Sequence, residues 1–78
     1  MKYKIVLVAW VDSVSTFGWR EPNDHGPAVI MTSGFLVRED SKSISVSTSV
    51  GRSGNCLDQL CIPRACIQSI KQIANCAF

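Results

Sequence analysis

Apolar and polar positions along the chain fall into short runs set apart by turn-forming residues, a pattern that predicts strands rather than helices. The first run, KYKIVLVAWV over residues 2–11, is apolar at both parities and rich in β-branched and aromatic residues, as for a strand covered on both faces. Residues 12–27 then break the pattern with two Gly/Pro clusters and form a sixteen-residue loop. AVIMTSGFLVRE, residues 28–39, resumes a strand, and Gly34 at its middle predicts a sharp bend or bulge of the kind a barrel corner requires. After a polar turn, SISVSTSV over 43–50 alternates most cleanly, with Ile44, Val46, Thr48 and Val50 on one face and serines on the other. GRSGNCLD, residues 51–58, reads as a loop, and QLCI, residues 59–62, as a short strand ended by Pro63.

The stretch IPRACIQSIKQI, residues 62–73, supports two readings. Ile67, Ile70 and Ile73 recur every three residues behind Pro63, which is the spacing of a short amphipathic helix. Four strands joined by hairpin-length turns, however, need a fifth to close the sheet and remove its open edge. One tight turn at Pro63, Arg64 and Ala65 would let residues 66–73 run as that strand. The fold class expected is therefore all-β: a small five-stranded barrel with a long first loop and one short 3₁₀ turn.

At 78 residues the chain is one domain, near the size at which a single apolar core barely outweighs chain entropy, so self-association is expected. The formal charge of +2 is weakly basic, and its Lys and Arg residues are scattered rather than gathered into a stripe, which argues against long nucleic acid as a partner. The apolar run Ile5–Val11 is far shorter than the ~20 residues of a membrane helix, and Asp12 closes it with no small-residue cleavage site behind. No membrane partner is expected. Cys56, Cys61, Cys66 and Cys76 are separated by four, four and nine residues, which matches no zinc pattern and reads as reduced, partly buried thiols. A metal site using His25 with three of them is the weaker alternative.

Candidate chemistry concentrates in the long loop, which holds Asp12, Ser13, Phe17, Trp19, Arg20 and His25. Loops of that length in small domains are disproportionately functional. An aromatic face beside a guanidinium can stack a base and pair a phosphate, although Trp19 and Phe17 could equally fold back over one end of the core. Arg64, at the tight turn, would project its fork from a rigid base as a ligand or interface residue, or simply into water. GRSG, residues 51–54, is a hairpin turn with a possible anion-binding nest. No set of acid, base and nucleophile can be assembled, and no dinucleotide or phosphate-loop motif is present, so neither catalysis nor a cofactor is expected.

The order of strands and loops, with LCIPRACIQSI at the end, resembles five-stranded Sm-like barrels, in which a fourth strand, a single 3₁₀ turn and a fifth strand follow one another. More narrowly, VAWVDS, GFLVRED and IPRACIQSI are similar to small barrel proteins encoded by bacteriophages. Pro63, Arg64 and Ala65 stand where RNA-binding Sm proteins carry an Arg-Gly pair, so a uridine pocket is not implied. The resemblance implies an accessory protein acting in the host cytoplasm on host factors or immune-signalling nucleotides. The expectation is a homo-oligomer that captures a small anionic ligand through Trp19, Arg20 and Arg64, with Asp12 and Ser13 orienting it. The alternatives are a module that docks on a host protein and an Sm-like RNA binder.

Overall fold

The computed structural model describes residues 1–13, 15, 18–19, 21–22 and 26–78. Five antiparallel strands form one sheet: β1 Lys2–Asp12, β2 Ala28–Glu39, β3 Ser43–Val50, β4 Cys56–Pro63 and β5 Ile67–Ala77. A single 3₁₀ turn, η1 Arg64–Cys66, joins the last two. Pro63 precedes this turn with its φ near −61°, a value its ring imposes, while its carbonyl side stays extended. The chain is thus mostly β, as the patterning predicts, and the turn falls one residue later than expected.

The strand order is β4-β3-β2-β1-β5, with β4 and β5 at the two ends. β5 does not close the sheet as expected. It adds to β1 on the side away from β2, so both outer strands keep one row of backbone groups unpaired.

The threefold spacing of Ile67, Ile70 and Ile73 has a β origin. Ile67 pairs with Trp10, Ser69 with Ala9 and Ile70 with Val8, so Gln68 is an extra residue in the ladder. A second register shift makes Ile73 extra, between Gln72 opposite Val6 and Ala74 opposite Ile5. Each bulge inserts one position into a period of two, so Ile67 and Ile70 share the face of Trp10 and Val8 while standing three apart.

The core consists of Val6 and Val8 from β1, Ile44 and Val46 from β3, and Ile62 from β4, flanked by Trp10, Leu36 and Ile67. Burial of each such side chain contributes about 1.5–3 kcal/mol. Residues from β1 and β3 meet because β2 turns sharply. It pairs with β1 from Ala28 to Leu36, and its pairing with β3 begins only at Phe35. A Cβ on Gly34 would stand 2.5 Å from the Ser47 carbonyl oxygen and 2.8 Å from a Val46 methyl. A register shift between Leu36 and Arg38 completes the bend.

Two expectations about faces change. β1 is covered on one face only: Val6 and Val8 are buried, while Ile5, Leu7, Ala9 and Val11 are half-exposed. On β3 the buried set is Ile44 to Ser47, so two serines of the predicted polar face are inside and Thr48 is outside. Ser47 tolerates burial because its hydroxyl sits between the carbonyl oxygens of Ser49, at 2.9 Å, and Leu57. β4 starts at Cys56, three residues earlier than predicted, and Asp58 within it takes a left-handed φ of 54°.

Gly34→Ala should lower stability by about 3 kcal/mol, because the new methyl meets a backbone oxygen that cannot rotate away. The measurement is urea unfolding, with the midpoint falling at unchanged slope. A midpoint equal to that of the parent chain would mean that β2 reaches β3 without this close approach.

Candidate functional site

The residues foreseen as ligand contacts are placed separately. Asp12 ends β1 opposite Ala28, and its carboxylate accepts the backbone N–H of Ser13 at 2.8 Å; both residues are exposed. Trp19 is fully exposed and so does not fold over the core. Arg20, like Phe17 and His25, lies outside the described residues.

Arg64 is committed to the fold. Its Nε donates to the Asp40 carbonyl oxygen at 2.6 Å, its backbone N–H donates to the Lys42 carbonyl at 2.8 Å, and Nη2 stands 3.7 Å from the Glu39 carboxylate. η1 is thereby tied to the turn between β2 and β3. That turn is itself organised by Asp40, whose Oδ1 accepts the N–H groups of Lys42 at 2.8 Å and Ser43 at 2.9 Å. These two hydrogen bonds hold the Asp40 carboxyl below its ordinary range, and the Arg38 and Arg64 charges act in the same direction. No hydrogen bond or ion pair among the described residues joins Arg64 to Asp12, Ser13 or Trp19.

A different set of side chains converges where β1 begins. The Phe78 N–H donates to the Met1 carbonyl at 3.0 Å, and Gly54 of the β3–β4 loop approaches Met1 Sδ, so both chain ends and that loop meet. Alternation along β1 sends Lys2 and Lys4 to the core-side face beyond Val6 and Tyr3 to the other. On the Tyr3 side its ring meets Phe35 edge to face at 6.1 Å between centroids, and the Arg52 guanidinium lies 5.8 Å from the Phe78 ring centre.

Three concavities share this corner. The largest, about 540 Å³, lies between the ends of β1 and β5 and is lined by Lys2, Tyr3, Lys4, Asn75, Cys76 and Ala77. A cavity of about 250 Å³ opens on the aromatic side, where Tyr3, Phe35 and Phe78 line it. One of about 260 Å³ opens on the lysine side, between Lys2, Lys4 and Arg38.

Lys2 and Lys4 make no ion pair among the described residues, and Arg38 reaches only the Asp40 carboxylate at 3.8 Å, with its side chain largely exposed. Among the described residues the Tyr3 hydroxyl has only the Met1 thioether, a weak acceptor, at 3.5 Å. The corner therefore offers two free ammonium groups, a phenol donor, the Asn75 amide and aromatic surface around a volume suited to a small molecule. The sequence signal was KYK at the head of a strand, which alternation splits into two lysines on one face and a tyrosine on the other. Phe35, Arg52 and Phe78 join it only through the fold.

The four cysteines are free thiols, and among the described residues no group of three His, Cys, Asp or Glu side chains is placed to hold a metal ion. No helix among them is long and apolar enough to cross a membrane. Set beside known protein families, characterised proteins and solved structures, the chain matches none of them.

Because the folded-state pKa of Asp40 is depressed, its contribution to stability is present above the unfolded value of about 4 and is lost as pH falls through the lower folded value. Acid titration of unfolding should show Asp40→Asn less stable than the parent at neutral pH, with the gap closing below pH of about 4. A gap that stayed constant down to the acid limit would remove the turn carboxylate from this role.

Proposed function

We propose that this protein is a non-enzymatic binder of a small anionic ligand that works as a homo-oligomer. The observation that carries the reading is the pair Lys2 and Lys4, without an ion pair among the described residues, beside the cavity of about 540 Å³ at the start of β1. The Cα atoms of alternate positions on one strand lie about 7 Å apart, close enough for two flexible lysines to bring both ammonium groups onto one phosphate or onto adjacent phosphates. Tyr3 and the neighbouring rings supply a surface for the uncharged part of such a ligand. A phosphorylated small molecule, such as a nucleotide of host immune signalling, has both parts. This reading sets the ligand on Lys2, Tyr3 and Lys4 and gives Arg64 a structural task in holding η1. Asp12, Ser13, Trp19 and Arg20 remain a second contact surface at the loop.

Self-association is supported by the two ends of the open sheet. β4 exposes Leu57 and Leu60 and carries Asp58; β5 exposes Ile70 and Ile73 and carries Lys71. The edges are complementary in charge and alike in apolar content, so β4 of one copy suits β5 of the next. Head-to-tail pairing of this kind closes into a ring or runs on as a filament, and a Sm-like barrel ring in the host cytoplasm is the form this reading takes. The same unpaired edges would also accept a strand from a host protein, which is the second reading.

Native mass spectrometry of the protein purified from cells with a nucleotide-based immune system tests both parts. The expected species is an oligomer carrying extra mass on the order of a few hundred daltons for each ligand. Lys2→Gln with Lys4→Gln should abolish the extra mass and weaken binding of added nucleoside phosphates at least about tenfold, the scale of losing charge-assisted bonds. Asp58→Lys should break the oligomer, and Asp58→Lys combined with Lys71→Asp should restore it. A bare monomer that captures a discrete host protein would replace this reading with the strand-addition module.

A further inference from the structure

The lysine side of the corner is built from two strands, and the second one adds a charge. The β1–β2 register sets Lys4 opposite Leu36, so the residues that follow Leu36 run alongside the first residues of β1. There β2 has one residue in excess: Leu36 pairs with Val46 and Arg38 with Ser45, which leaves Val37 unmatched on β3. A bulge of this kind re-aims the side chain beside it. Arg38 thereby joins Lys2 and Lys4 around the cavity of about 260 Å³.

Arg38 is held quite differently from Arg64. Its Nη2 stands 3.8 Å from the Asp40 carboxylate, and its side chain is 76 % exposed. An ion pair that long and that wet is weak and easily exchanged. Asp40 does not depend on it, because the N–H groups of Lys42 and Ser43 are bound by its other oxygen, Oδ1. The guanidinium can therefore leave Asp40 for another anion while the β2–β3 turn stays intact.

We propose that Arg38 reads a second phosphate, so that the ligand of this corner carries two linked phosphates. The inference rests on the anion site of the proposed function and names the class of ligand that site takes. Lys2 and Lys4 hold the first phosphate, and the planar fork of Arg38 offers parallel N–H donors to the oxygens of the next. Both lysines also line the cavity of about 540 Å³, so the phosphates stay joined to the uncharged part of the ligand there. The phosphate chain ends at Arg38. Glu39 lines the same cavity and Asp40 follows it, so a third phosphate would meet carboxylates. Arg64, 3.7 Å from Glu39, offsets one of the two.

Titration calorimetry of the full chain with adenosine mono-, di- and triphosphate, without added metal, reads the number of phosphates directly. The parent should bind the diphosphate about tenfold more tightly than the monophosphate, the scale of gaining charge-assisted bonds, and the triphosphate no more tightly than the diphosphate. Arg38→Gln should bring the ratio of di- to monophosphate affinity near one, and Arg38→Lys, which keeps the charge and loses the fork, should leave it in between. Lys42→Gln removes an equal charge from the β2–β3 turn and should keep the parent ratio, which separates a contact from general attraction. Each ratio is taken within one variant, so a loss of folded protein does not imitate the effect. A parent ratio near one, a ratio that Arg38→Gln leaves unchanged, or a further step of the same size to the triphosphate overturns the proposal. In those cases monophosphate binding that is lost in Lys2→Gln with Lys4→Gln leaves the anion site standing, whereas a parent that binds none of the three nucleotides removes both.

Discussion

Everything in this molecule follows from the approach of β2 to β3 at Gly34. A sheet of five short strands laid flat would enclose no side chain, so a core among these strands has to come from a bend. By letting the backbone of β2 pass against the Ser47 carbonyl, the missing Cβ turns the strand so that β1 faces β3 and β4 across a small interior. Val6, Val8, Ile44, Val46 and Ile62 become a core only because of that turn. Trp10 then fixes the other flank, its indole N–H donating to the Thr32 hydroxyl at 2.9 Å between β1 and β2.

The bend also decides where the unsatisfied parts of the structure lie. Curling the sheet far enough to make a core, without a strand long enough to join β4 to β5, leaves two edges with backbone groups facing water. Among the described residues it leaves Val29 and Met31 on the outer side of β2 exposed. A core of five buried apolar side chains is a modest driving force. The two outer strands and the outer side of β2 are thus where backbone groups and apolar side chains are left open to water.

Much of the fold was legible in the chain itself, and the failures share one cause. β1, β2 and β3 could be read because β-branched density and alternation act locally, and the bend at Gly34 could be read because glycine in a strand has few other uses. β5 was ambiguous because its bulges at Gln68 and Ile73 are set by the partner strand β1, and they turned a strand period into a helical one. The start of β4 was hidden in NCLD because Asp58 adopts a left-handed φ inside the strand, where a polar residue ordinarily signals a loop. The coverage of β1 was misjudged for the same reason: apolar residues at both parities show what a strand could bury and not what the rest of the chain can supply.

The candidate site was harder to see, since it is a product of topology. The basic residues look scattered along the chain, yet Lys2, Lys4, Arg38 and Arg52 come from β1, β2 and the β3–β4 loop to one corner with Tyr3, Phe35 and Phe78. Arg64 looked free at a tight turn, but the same topology lays that turn against the β2–β3 turn, where the Asp40 carbonyl and Glu39 occupy its guanidinium. The contrast separates two kinds of charge. An arginine whose donors are taken by backbone and a carboxylate organises the fold, while two lysines that make no ion pair among the described residues line a cavity.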